Sequence, residues 1–92
     1  MPAPRIPLVA GNWKMNPVAQ QAAVELAVSV RDRTAGEPTR TVVCPPAIWL
    51  TSVAAAVGGS SVEPGRLGIG AQTMHAEGSG AYTGETSPLM LA

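Results

Sequence analysis

Residues 6–17 read Ile6-Pro7-Leu8-Val9-Ala10-Gly11-Asn12-Trp13-Lys14-Met15-Asn16-Pro17. The run Ile6–Ala10 is apolar and is closed by Gly11, and a short apolar run between turn residues is typical of a buried β-strand. A loop, Gly11–Asn16, follows this strand. Asn16 then precedes Pro17, which predicts the beginning of a helix, because Asn caps helix N-termini and proline suits the first helical position.

The same order of strand and helix repeats along the rest of the chain. Apolar residues recur at spacings of three and four from Val18 to about Arg33, which predicts a helix, with Gly36 at the position of its C-terminal cap. The elements predicted after it are a strand at Thr41–Cys44, a helix from about Ala47 to Val57, a strand at Leu67–Gln72, a loop at 73–85, and a helix that Ser87-Pro88 begins. Residues 1–5 are predicted to be a loose lead-in.

Alternation of strands and helices predicts an α/β fold with a parallel sheet. The strands are continuously apolar, so they require cover on both faces, which two helices cannot provide. The outer edges of the first and third strands are expected to lack partners. We therefore predict that the 92 residues are part of a larger fold. Three of the eight units of a (β/α)₈ barrel would take about 94 residues, although a truncated doubly wound sheet fits equally well.

Composition excludes several functional classes. The formal net charge is zero and charged residues make up 13%, so neither a nucleic-acid-binding arm nor a disordered tail is expected. A single cysteine, Cys44, excludes an internal disulfide and a multi-cysteine zinc site. No apolar run approaches the ~18 residues of a membrane span, and Ile6–Ala10 is too short for a signal-peptide core. We therefore expect a cytoplasmic protein with no membrane association.

The candidate site lies in the first loop. Active-site residues of parallel β/α proteins follow the carboxyl ends of strands, and only this loop places a cation and an amide together, as Lys14 and Asn12. An ammonium there could hold a phosphate or the charge of a developing enolate. A solvated surface lysine beside a turn asparagine has the same spacing, so the spacing by itself does not choose between these interpretations.

Three motifs together resemble the triosephosphate isomerase family. They are Val9–Asn16, Val43–Pro46, and Gly70–Gln72 followed by Gly80–Pro88, in the family's order and covering the chain from residue 6 to its end. The departures are modest: the family usually has Asn at Thr73, often Phe at Tyr82, and more commonly an aliphatic residue at Thr86. None of these departures removes a catalytic group.

The resemblance implies a partial TIM (β/α)₈ barrel, with three strands, two helices and the start of a third helix. Residues 1–92 would be the N-terminal part of a single barrel domain truncated at its C-terminus. The family is an intramolecular oxidoreductase of glycolysis and gluconeogenesis. It interconverts dihydroxyacetone phosphate and D-glyceraldehyde 3-phosphate through an enediolate, as a cytoplasmic homodimer, without metal or cofactor. The family's catalytic His and Glu and its phosphate-binding turns belong to later motifs, so this piece alone is expected to be inactive.

The resemblance also assigns residue roles. Lys14 would be the electrostatic group that holds the substrate phosphate and the enediolate charge, and Asn12 would position a substrate oxygen. Trp13 is placed beside them in the substrate-binding loop through its backbone and packing. At the implied dimer interface lie Thr83, Tyr82 and Met15, with Thr83 close to the first loop of the partner subunit.

Other chemically attractive residues are set aside. His75 is the only histidine, but the family's catalytic histidine belongs to a later motif. Glu77 and Glu85 have no partner at a diagnostic spacing, and Cys44 has no neighbouring cation to activate it. Two alternative functions remain: a small non-catalytic βαβ module that binds a partner through its sheet edge, and a piece of another sugar-phosphate barrel enzyme. The third-loop motif argues against both.

Overall fold

The computed structural model describes residues 4–92, and its elements follow the predicted alternation. The predicted lead-in at residues 1–5 falls partly outside the described residues. The elements are β1 (Leu8–Asn12), α1 (Gln20–Thr34), β2 (Arg40–Cys44), a 3₁₀ turn (Ala47–Trp49) that leads into α2 (Leu50–Val57), β3 (Leu67–Ile69) and α3 (Pro88–Leu91). The predicted α/β class, with three strands, two helices and the start of a third helix, is therefore confirmed.

The three strands form one parallel sheet in the order β1-β2-β3. Val9 pairs with Thr41 and Val43 pairs with Ile69, so the carboxyl ends of the strands lie at the same edge. Over residues 4–92 the sheet is open and does not close on itself. This architecture agrees with a partial (β/α) barrel, in which each strand is followed by a helix.

One small apolar core joins the helices to the sheet. Its buried members are Ala23, Ala27, Val43, Val53, Val57 and Leu67. Because residues of both α1 and α2 pack with Val43 and Leu67, the two helices lie on the same face of the sheet. The Arg31 guanidinium also donates a 3.3 Å hydrogen bond to the Ala56 carbonyl, which links the two helices. All five residues of β1 remain exposed, as expected when two helices cover three strands.

The predicted helix start at Asn16-Pro17 is wrong. Helix α1 begins at Gln20, and its N-cap residue is Ala19, whose extended backbone makes no side-chain capping bond. The Asn16–Pro17 peptide bond is cis. The Pro17 carbonyl accepts a 2.9 Å hydrogen bond from the Trp49 indole N–H, so this segment makes a tertiary contact in place of the first helical turn.

The first strand is shifted towards the carboxyl side of its predicted position at Ile6–Ala10. Its ladder with β2 runs from Leu8 to Asn12, and Asn12 is paired with Cys44. The Trp13 N–H then donates to the Cys44 carbonyl at 3.1 Å, which extends the contact one residue further. Pairing with β2 sets the strand limits, because backbone hydrogen bonds form wherever a partner is available. As a result, Asn12 lies on the strand end and not in the loop.

The third strand is shorter than the predicted Leu67–Gln72. The Gly70 N–H donates to the Val43 carbonyl at 3.0 Å, and β2 ends one residue later, before Pro45, which has no N–H to continue a ladder. Residues 70–72 therefore leave the sheet.

The outer edge of β3 is not unpaired, contrary to expectation. The Ser61 N–H donates to the Leu67 carbonyl at 2.9 Å, and the Ile69 N–H donates to the Ser60 hydroxyl at 2.8 Å. The chain just before β3 therefore folds back and occupies this edge.

The predicted helix ends are largely confirmed. Gly58 closes α2 with φ +82, and Gly36 follows α1 with φ +78, both in the left-handed region that glycine tolerates. At α3 the Ser87 hydroxyl accepts a 3.2 Å hydrogen bond from the Met90 N–H, which is the N-cap that the Ser-Pro pair predicts. Across residues 4–92 no helix is both long enough and apolar enough to span a bilayer.

Candidate active site

The carboxyl ends of the strands come together around the backbone of Lys14. Asn12 ends β1, Cys44 ends β2, and Gln72 follows β3. The Gln72 side-chain amide donates to the Lys14 carbonyl at 2.6 Å and to the Cys44 carbonyl at 3.0 Å. Polar groups from all three β/α units therefore meet at the edge where β/α enzymes carry their sites.

Lys14 has an unusual backbone. Its φ is +58, and among the described residues it is the only non-glycine residue with positive φ. This left-handed conformation costs about 1–3 kcal/mol, so surrounding contacts must hold it. The Asn12 side-chain oxygen accepts the Lys14 N–H at 2.7 Å, and Gln72 binds the Lys14 carbonyl. Both polar groups of the Lys14 backbone are thus bound by side chains.

The side chain of Lys14 is exposed, and it is the only lysine of the chain. Within residues 4–92 its ammonium has no hydrogen-bond or ion-pair partner, so it can accept an anion. An exposed ion pair contributes only about 0–1 kcal/mol, because water screens it. Strong stabilisation of a negative charge by Lys14 therefore requires further structure that excludes water.

Asn12 also retains binding capacity. Its Oδ1 atom is occupied by the Lys14 N–H, whereas its amide nitrogen carries two N–H donors. No hydrogen bond from that nitrogen is present among the described residues. An Asn12 amide in this orientation can donate to a carbonyl or enediolate oxygen, which suits the role that the resemblance implies.

Trp13 and Met15, which flank Lys14, have opposite environments. The Trp13 ring is half-buried against the apolar core, and the backbone N–H of Trp13 donates to the Cys44 carbonyl. This contact anchors the loop on the sheet beside Lys14. Met15 is 88% exposed, which leaves a large apolar side chain in solvent next to the candidate site.

The third loop is closed by contacts among its own residues. Its base is closed where the His75 N–H donates to the Thr86 carbonyl at 2.8 Å. The His75 ring stacks on the Tyr82 ring with centroids 4.0 Å apart. A Cβ on Gly80 would lie 2.7 Å from the Tyr82 ring, so only glycine fits there. Tyr82 therefore packs within its own loop, and it is still 48% exposed.

Thr83 occupies the tip of this loop. Thr83 and Gly84 are the central residues of a turn in which the Glu85 N–H donates to the Tyr82 carbonyl at 3.1 Å. Gly84 has φ +81, which suits the third position of a type II turn. Over residues 4–92, no hydrogen bond joins Thr83 to Asn12 or Lys14 of the same chain.

The residues that are not assigned to the site, His75, Glu77 and Cys44, make contacts within the fold. The Nδ1 atom of His75 accepts a 3.0 Å hydrogen bond from the Glu77 N–H, so this nitrogen braces the loop. The Cys44 thiol is free and half-buried, and it lies beside Gly70. In the part of the chain that the structure describes, no cluster of three or more His, Cys, Asp or Glu side chains could hold a metal.

Gln72 is not predicted from the sequence as part of the site. The sequence places it at the end of the predicted third strand, Leu67–Gln72, with no role in the site. A signal was available, because a polar residue directly after the small apolar run Leu67–Ala71 stands at the carboxyl edge where sites form. Its two carbonyl partners, however, depend on the tertiary fold.

Within residues 4–92, parallel β/α units carry an unpaired cation and an amide at the carboxyl ends of their strands, an arrangement that agrees with β/α-barrel enzymes. A family model described as triosephosphate isomerase matches residues 7–92, and the chain therefore belongs to the triosephosphate isomerase family. The resemblance noted from the sequence motifs is confirmed, and the match favours this family over other sugar-phosphate barrel enzymes.

Curated relatives agree with this assignment. The chain is 44% identical over 87 residues to a triosephosphate isomerase of Clostridium botulinum strain Loch Maree, with 95% of this chain and 33% of the relative covered. It is 45% identical over 91 residues to that of Chloroflexus aurantiacus, with the same coverage. For the Clostridium novyi protein the identity is 42% over 84 residues, covering 91% of this chain and 31% of the relative. The chain thus spans about a third of the length of these relatives.

Proposed function

We propose that this chain supplies the first three β/α units of a triosephosphate isomerase, which interconverts dihydroxyacetone phosphate and D-glyceraldehyde 3-phosphate through an enediolate. Residues 1–92 would be the N-terminal part of its single barrel domain. The observation that carries the proposal is the Asn12–Lys14 segment at the carboxyl end of β1, where the Lys14 ammonium and the Asn12 amide nitrogen have no partner within residues 4–92. Family membership then specifies the substrate class.

The chemistry assigned to these residues is electrostatic. Removal of a proton next to the substrate carbonyl places negative charge on an enediolate oxygen, and a fixed ammonium lowers the energy of that charge. Lys14 would hold the phosphate and this charge, Asn12 would donate to a substrate oxygen, and Trp13 would hold the loop in the substrate-binding position. A positioned base is also required for proton transfer, and later units of the barrel would supply it. The proposed isomerisation uses no metal or cofactor.

We also propose that the full-length protein is a cytoplasmic homodimer. Thr83 stands in the turn of a loop that internal hydrogen bonds close, and Met15 is exposed beside the site. A loop held by its own contacts and an unburied methionine suit an interface, because less entropy is lost when such a loop docks. Thr83, Tyr82 and Met15 would lie at this interface, with Thr83 reaching the first loop of the partner subunit.

A hybrid barrel tests the proposal. Residues 1–92 are joined to the remaining part of the Chloroflexus aurantiacus relative, and isomerisation of triose phosphate is measured with a coupled assay. The hybrid should be active, Lys14→Ala should abolish most of its activity, and Arg33→Ala should not, because Arg33 lies on the exposed last turn of α1. A hybrid that folds as judged by circular dichroism and does not isomerise triose phosphate would contradict the proposal and favour a non-catalytic binding module.

A further inference from the structure

Gln72 holds two strand ends together through one side chain. Its amide nitrogen donates to the Lys14 carbonyl at 2.6 Å and to the Cys44 carbonyl at 3.0 Å, so both of its N–H groups are used. The Cys44 carbonyl also accepts the Trp13 N–H at 3.1 Å. This oxygen is therefore a shared anchor for the first loop and for the segment that follows β3.

The Lys14 backbone depends on contacts of this kind. With φ at +58 it occupies a conformation that non-glycine residues disfavour. Asn12 holds the N–H side of the residue, and Gln72 holds the carbonyl side. If the carbonyl is released, the residue can relax to negative φ, and this rotation moves the Lys14 side chain away from its present direction.

We propose that Gln72 is a positioning residue for Lys14. Its amide keeps Lys14 in the left-handed conformation and thereby aims the ammonium at the phosphate and the enediolate oxygen of the substrate. Gln72 itself does not touch the substrate. This inference rests on the proposed function, because it assigns Gln72 a part in the same isomerisation.

A double-mutant cycle tests this role in the full-length protein that carries residues 1–92. Gln72→Met keeps the size of the side chain and removes both donors. In the presence of Lys14 it should lower kcat/KM by about tenfold or more, because a misplacement of about 1 Å in an active site can cost up to about 100-fold. In the Lys14→Ala background the same change should have less than about a twofold effect, because residues that act through one another are not additive.

A matched substitution controls for the loss of a glutamine amide. Gln21 is exposed on α1 and its amide nitrogen donates only to Glu25, at 3.0 Å. Gln21→Met should leave kcat/KM unchanged in both backgrounds. Thermal midpoints are recorded for every variant, and all kinetics are measured well below the lowest midpoint, so that a loss of stability does not pass for a loss of positioning.

The results of these measurements distinguish a failure of the proposed function from a failure of the role proposed for Gln72. If the unmodified protein does not isomerise triose phosphate, or Lys14→Ala has no effect, the proposed function is wrong. If Lys14→Ala abolishes activity and Gln72→Met costs the same factor in both backgrounds, or costs nothing, Gln72 does not act through Lys14. Should Gln72→Met fail to fold, nuclear magnetic resonance of the unmodified protein decides the question. Slow exchange of the Gln72 side-chain amide protons with solvent supports the hydrogen bonds to Lys14 and Cys44 on which the inference depends. Rapid exchange overturns it.

Discussion

The side-chain oxygen of Asn12 accepts a 2.7 Å hydrogen bond from the backbone N–H of Lys14. The two residues that we propose to bind substrate are therefore also hydrogen-bonded to each other. The bond uses the oxygen of the Asn12 carboxamide and leaves its nitrogen available for a ligand. The oxygen therefore supports the Lys14 backbone, and the nitrogen can donate to substrate. Substitutions that remove the amide nitrogen alone, or the whole carboxamide, can distinguish these two roles.

Replacement of Asn12 by Asp is expected to keep the loop and lose the ligand contact. The carboxylate still accepts the Lys14 N–H, whereas the two N–H donors are gone and a negative charge faces the substrate oxygen. In the full-length protein, kcat/KM should fall at least about 10²-fold, the scale of one lost charge-stabilising donor, with little change in thermal midpoint. Asn12→Ala removes both halves and should also lower the free energy of unfolding by about 1 kcal/mol. Equal midpoints for the two variants would show that the Asn12–Lys14 bond does not support the loop.

Lys14→Ala in the full-length protein should reduce turnover at least about 10²-fold, because it removes a preorganised charge at the site. Lys14→Arg should restore little, since a wide planar guanidinium does not replace a compact ammonium in a closed site. Steady-state kinetics on both variants check this, with Arg33→Ala as the control for loss of one positive charge. Normal kinetics for either Lys14 variant would refute the electrostatic role.

A comparison of Lys14→Gly with Lys14→Ala isolates the backbone conformation. Both variants lack the ammonium, so both should be nearly inactive. At φ +58, alanine pays about 1–2 kcal/mol for the left-handed conformation and glycine does not. The Gly variant of the full-length protein should therefore have a free energy of unfolding about 1 kcal/mol above that of the Ala variant, measured by denaturant titration. If the Ala variant is the more stable of the two, the left-handed conformation of residue 14 is not maintained in solution.

The isolated 92-residue chain is expected to associate and to show no isomerase activity. Every residue of β1 is exposed, with Leu8 at 60% and Val9 at 59%, and such an edge strand is a template for intermolecular pairing. Ser60 and Ser61 protect only the β3 edge. Sedimentation velocity and a coupled assay on the same sample test both statements. A monodisperse monomer with cooperative unfolding would argue for an independent module, and substrate-dependent turnover would show that Lys14 and Asn12 suffice for catalysis.

Thr83→Arg in the full-length protein should weaken the dimer and lower turnover together. The substitution buries an unpaired charge at the proposed interface, and loss of the partner's loop removes its support from the Asn12–Lys14 segment. Sedimentation and activity are measured on the same samples across a dilution series. Gln21→Arg, on the exposed face of α1, serves as the control and should change neither. Full activity from a demonstrably monomeric Thr83→Arg protein would show that the third loop does not support the site.

Local patterns in the sequence were sufficient for the order of the elements. Spacings of three and four mark α1, Pro46 and Gly58 bracket the 3₁₀ turn and α2, and Ser87 caps α3 as predicted. Each of these signals acts over one or two turns of chain, through backbone conformation and nearby hydrogen bonds. The family motifs in the three loops likewise lie in short stretches, so Asn12 and Lys14 were found as candidates from the sequence.

Tertiary contacts decided where the elements end and how the site is held. β1 runs on to Asn12 because Cys44 pairs with it, and α1 begins late because the Pro17 carbonyl binds the Trp49 indole. The left-handed backbone of Lys14 is held by Gln72, a residue 58 positions away. A hydrogen bond between distant residues leaves no periodic trace in either segment, because each segment carries only one of its two partners. The folded chain brings the Gln72 amide nitrogen to 2.6 Å from the Lys14 carbonyl oxygen. This contact, which we propose orients the Lys14 side chain, therefore exists only in the tertiary structure.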